Sequence, residues 1–144
     1  MAQAFDVAVV TMRGARIAGA LAATLAAWPA VAQGPAPSGQ ALVLWEVLWE
    51  RVDGADAPQA VLRFIAPQIA RDGGDVDADA ATADIGWLCD THGLPIATLP
   101  YAPTGSVVIT LMDRPVGRGQ TDPEATQYFG LFSIEDGLCV PEDY

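Results

Sequence analysis

Residues 12–32 set both the size of what this chain can fold and the conditions under which it folds. Arg13 and Arg16 supply a short positive head, residues 17–27 (IAGALAATLAA) form an unbroken apolar run, and Ala30-Val31-Ala32 offers a small-x-small cleavage site ahead of Gln33. A membrane-spanning helix needs roughly 20 apolar residues, and Pro29 interrupts this run before that length. Residues 1–32 are therefore expected to be a signal peptide. Met12 is an alternative start, because residues 1–11 place Asp6 in front of the positive head. No cysteine follows the cleavage site directly, so a lipid anchor is not expected. The expected location is periplasmic or secreted, and the cleaved chain is not expected to be an integral membrane protein.

Cleavage leaves about 112 of the 144 residues, enough for a single domain around one modest core. The formal net charge is −11, and every basic residue is an arginine. After the leader, five arginines face seventeen acids. Phosphate backbones and anionic membrane surfaces require a basic stripe, so neither nucleic acid nor an anionic bilayer is an expected partner. Both cysteines, Cys89 and Cys139, lie in the exported part, and in an oxidising compartment two lone cysteines in a small domain are expected to pair. Closing a loop of roughly 50 residues would contribute roughly 4 kcal/mol in the chain-entropy model. The spacing is not the C-x-x-C of an exchangeable redox pair, and two thiols with the single His92 are too few for a closed zinc site.

Residues 33–39 (QGPAPSG) read as a flexible arm, and residues 40–144 as a single α+β domain. The first strand is expected at 41–51 (ALVLWEVLWER), with Val43, Trp45, Val47 and Trp49 on one face and the two tryptophans contributing to the core. A turn at 53–56 leads to a second, antiparallel strand at 60–66, ended by Pro67, and residues 68–75 form a loop. The one long helix spans 77–92 (DADAATADIGWLCDTH), with Ala81, Ile85, Leu88 and His92 on one stripe and Gly93 as its stop. A Pro-rich connection, 94–105, precedes the clearest strand, 106–113 (SVVITLMD). A strand at 127–134, a turn at 135–137 and a short strand at 138–140 complete the chain. The expected architecture is a small antiparallel β-sheet in β-β-α-β-β order, with a short fifth strand as an addition and one main helix packed on one face.

The leader, VLRFIAPQIARDGG, the WLC helix end, ITLMDRPV and DPEATQYFGLFSIEDGLCV resemble small uncharacterised exported proteins of alphaproteobacteria that carry a domain of unknown function. The resemblance covers nearly the whole cleaved chain and implies export, a shared fold and the two cysteines kept as a pair. Some members are labelled acetolactate synthase, an activity of large thiamine-diphosphate proteins for whose cofactor domains this chain has no room.

The candidate chemistry is sparse. Asp75, Asp77 and Asp79 have the D-x-D-x-D opening of a calcium loop, but the sixth position is Ala80 where glycine is needed and the twelfth is Gly86 where a bidentate glutamate is needed. Helix capping, with Asp72 and Asp84 on a solvated face, is the favoured reading of these acids. His92 is expected as a capping or core-edge residue, and Arg114 beside Asp113 as a surface ion pair or an anion site. No phosphate loop, zinc spacing or nucleotide fingerprint is present, and no cofactor is expected. Three functions follow in order. The first is a non-enzymatic periplasmic domain that binds or assists another envelope protein through an exposed sheet face or edge. The second is a small hydrolase or lyase using carboxylates with Arg114, signalled by a cleft that gathers Arg114, His92 and an aspartate. The third is an acidic cation-binding module at Asp75, Asp77 and Asp79.

Overall fold

β-Branched and aromatic residues in alternation give five strands, β1 (Val43–Glu50), β2 (Gln59–Ile65), β3 (Ser106–Met112), β4 (Gln127–Glu135) and β5 (Leu138–Pro141). They form one sheet in the order β1-β2-β3-β4-β5. The computed structural model describes residues 35–143; the expected signal peptide, the alternative start at Met12 and residues 33–34 of the arm lie outside them.

The sheet is mixed, which corrects the expected all-antiparallel arrangement. β2 and β3 run parallel, Ala60 opposite Val107 and Phe64 opposite Leu111, while the other three pairings are antiparallel. The reason is topological. Neighbouring parallel strands need a crossover, and the segment between β2 and β3 supplies it as α1 (Ala78–Leu88), a π-helical turn (Cys89–Gly93) and α2 (Leu94–Ala97). The α+β class holds, but the order differs from the expected β-β-α-β-β: two strands and the helical crossover are followed by three strands.

Asp77 caps α1, accepting a hydrogen bond from the Ala80 N–H at 2.9 Å. Ala81, Ile85 and Leu88 are buried against Ala60, Leu62, Phe64, Val107, Ile109, Leu111 and Phe132. Each fully buried leucine, isoleucine or phenylalanine is worth roughly 2 kcal/mol, so this layer holds the domain together. The helix does not stop at Gly93 as expected. Gly93 has helical backbone angles, φ −65° and ψ −50°, and the path continues into α2. A Cβ at Gly93 would lie 2.8 Å from Val107 Cγ1, so the glycine permits close helix–sheet contact rather than a left-handed cap.

The Cys89–Cys139 disulfide is present, with Cα atoms 6.2 Å apart, and joins the crossover to β5. The turn between β4 and β5 has positive φ at both central residues, Asp136 (50°) and Gly137 (76°), the geometry that an Asp-Gly pair favours in a two-residue hairpin.

The described part of the arm is docked, not free. Ala36 is buried, the Gly39 N–H donates to the Ala36 carbonyl at 2.8 Å, and Ser38 and Gln40 bind the α1 side chain of Asp84.

Candidate functional site

Among the described residues the domain buries three charged side chains, Arg63, Asp84 and Asp113, and leaves a row of apolar ones in water. Asp84, fully buried in α1, accepts from the Ser38 N–H at 2.9 Å, the Ser38 hydroxyl at 2.5 Å and the Gln40 amide at 2.6 Å. It therefore belongs to a latch on the arm and not to the solvated face expected of it. Arg63, 3% exposed in the middle of β2, pairs with Glu46 of β1 and donates to the Val116 carbonyl at 2.7 Å. A second pair, Arg118 on Glu50 at 2.5–2.6 Å, lies close by. Arg118 holds the Glu50 carboxyl below its ordinary range, chiefly through that hydrogen bond.

These contacts draw the segment after β3, residues 113–126, across the sheet face opposite α1. Val116 is buried, and so are Val61, Arg63 and Met112 on that face. The open apolar face expected there is thus closed over β2 and β3, while Val43 of β1 stays exposed on it. Toward β4 and β5 it remains accessible at Phe129 and Leu138.

The residues singled out by sequence are scattered. Arg114 holds Asp113 at 3.1–3.2 Å, which raises the arginine's already high value. His92 lies half-buried with its ring edge-on to Phe64 (5.4 Å) and Trp87 (5.9 Å), and its Nδ1 is 2.9 Å from the Thr91 hydroxyl. Burial pushes the imidazole below its ordinary value. Asp75 accepts from the Gln68 amide at 3.0 Å, Asp77 caps α1, and Asp79 sits in its first turn. Among the described residues, no group of three or more His, Cys, Asp or Glu side chains is placed to hold a metal ion. Among the described residues, surface cavities of about 400, 450 and 260 Å³ are lined at 51–58, around Arg71 and Thr126, and between α1 and β4. None of the three gathers Arg114 and His92.

What the fold concentrates is an edge. β1 is the first strand of the sheet, and among the described residues no backbone hydrogen bond reaches its outer side. Trp45 and Trp49, expected in the core, are 54% and 46% exposed, and Val43 and Leu44 accompany them. For Trp45 the cause is a bulge: Leu44 pairs with Phe64 and Glu46 with Arg63, so Trp45 is an extra residue and the alternation resets. Val47, which packs on the core, and Trp49 then share one face, with Val43 on the other. Edge strands of monomers are ordinarily guarded by lysine, proline, charge or a bulge, and the bulge at Trp45 is the one such device on β1. β1 contains neither lysine nor proline, and both its glutamates are drawn into ion pairs with Arg63 and Arg118.

Among the described residues no helix is long and apolar enough to cross a membrane. A family model described as a family of unknown function, DUF6497, matches residues 16–144. No curated protein and no solved structure matches the chain.

Proposed function

The chain belongs to DUF6497, a family of unknown function, and from that premise we propose a non-enzymatic binding module, exported to the periplasm or beyond, that docks another envelope protein on the outer edge of β1. The leader pattern at 12–32 and the disulfide support export. The docking role rests on one observation: a strand unpaired on its outer side, whose exposed side chains are Val43, Leu44, Trp45 and Trp49, with its own acids held in ion pairs. Main-chain hydrogen bonds to such an edge supply affinity, and the side chains beside them supply selectivity. Tryptophan is the residue type most enriched at interface hot spots.

The test is affinity purification of the tagged full chain from the organism that carries it, without reductant, beside a chain bearing Trp45→Ala and Trp49→Ala. The module predicts a stoichiometric protein partner on the first chain and its loss from the second, whose far-ultraviolet circular dichroism still shows the folded sheet. An identical set of bound proteins on both chains would remove β1 from the account.

A further inference from the structure

Resting on that reading, we infer that the occupant of the β1 edge is an extended, basic segment of another protein, lying along β1 as a sixth strand. Acids flank both ends of the apolar edge. At the far end, exposed Asp53 and Asp56 lie in the turn that follows β1, with Arg51 as the one cation among them. At the near end, Gln68 bridges the Ala41 N–H (3.2 Å) and the Asp75 carboxylate (3.0 Å), which places that acid beside the entry to β1. Three of the domain's five arginines, Arg63, Arg114 and Arg118, are committed to ion pairs; the other two stand at the ends, Arg51 beside Asp53 and Asp56 and Arg71 in the cavity that Asp75 and Asp77 also line, and at each end the acids outnumber the cation. The field around the edge is therefore negative, in a chain of net charge −11.

A second copy does not fit this edge. Paired antiparallel, β1 would set the Asp75 end of one chain against the Asp53 and Asp56 end of the other; paired parallel, it would set like ends together. Either way the acids at the contact outnumber the cations there, Arg51 and Arg71. A strand with lysine or arginine at both ends meets complementary charge there, and the exposed indoles of Trp45 and Trp49 offer both apolar area and a π-face to a cation.

The probe is a synthetic peptide of alternating valine and threonine with two arginines at each end. Its controls are the same peptide with glutamates for arginines and an arginine-flanked glycine–serine peptide of equal charge, each added up to about millimolar concentration, the range of weak association. Backbone amide shifts and exchange of the oxidised domain are followed, together with its mass in solution. The expected result is slowed exchange confined to residues 42–50, with affinity about tenfold above both controls and lost in the Trp45→Ala, Trp49→Ala chain. Equal binding of the acidic peptide, shifts centred on β4 and β5, or a dimer with protected β1 amides in the absence of peptide would each overturn the assignment. If no peptide protects β1 while the native partner still requires both tryptophans, the basic strand is wrong and the docking edge stands.

Discussion

Arg63 of β2 and Glu46 of β1 are directly opposed across the sheet on the face away from α1, and the same guanidinium holds the carbonyl of Val116. One buried cation thus ties the edge strand to the segment that closes this face. Truncation by Arg63→Ala leaves the Val116 carbonyl and part of Glu46 without a partner. It should cost about 3 kcal/mol, within the range for breaking a buried pair, read as a lower midpoint in urea. Amide exchange at residues 114–120 should rise with it. Glu46→Gln keeps an acceptor but leaves the buried guanidinium without its counter-charge, and should cost a comparable amount.

Asp84 fastens the arm to α1 through Ser38 and Gln40. Asp84→Ala removes the acceptor of three hydrogen bonds and strands the amide of Gln40, a residue only 4% exposed. A loss of about 2–3 kcal/mol is expected from an unsatisfied buried donor and missing charge-assisted bonds. Exchange should increase first at residues 36–41. Unchanged exchange there would show that the arm is held by something else.

Reduction of Cys89–Cys139, or the double change to serine, should destabilise the domain by roughly 4 kcal/mol if closing the loop of roughly 50 residues acts through chain entropy. β5 pairs only with Phe132–Glu135 of β4. It should therefore lose amide protection before any other strand, which exchange measured with and without reductant would reveal.

His92 gives the stability a pH dependence with a definite sign. Burial lowers its folded value below the ordinary 6.5, so the unfolded chain takes up a proton at a higher pH than the folded one. Stability is fully present above 6.5 and declines as pH falls through 6.5 toward the folded value. Comparison with His92→Gln between about pH 7 and 5.5 should show the wild-type slope exceeding that of the variant.

The helix and the terminal hairpin were legible because they rest on local rules: Ala81, Ile85 and Leu88 at helical spacing, and Asp136-Gly137 in a turn that needs positive φ. The parallel pairing was legible in principle, since a helix between two adjacent strands implies a crossover. The exposure of Trp45 was not, because no glycine or proline marks the bulge that resets the alternation, and that of Trp49 was not, because it follows from the place of β1 at the edge of the sheet. Two signals at the buried charges went unread. Asp84 stands on the same helical stripe as Ala81 and Leu88, and Arg63 interrupts an apolar strand, AVLRFIA. A charge in a core pattern marks a partner brought from elsewhere, here Ser38 and Gln40 for one and Glu46 for the other.

Photo-crosslinking in the native organism tests the docking edge most directly, with a photoreactive side chain placed at Trp45 and, in a parallel chain, at Leu138, which is also exposed but lies on β5. The account predicts a discrete adduct with a different protein from position 45 and none from position 138. An adduct from 138 alone, or from 45 only with a second copy of this chain, would contradict it.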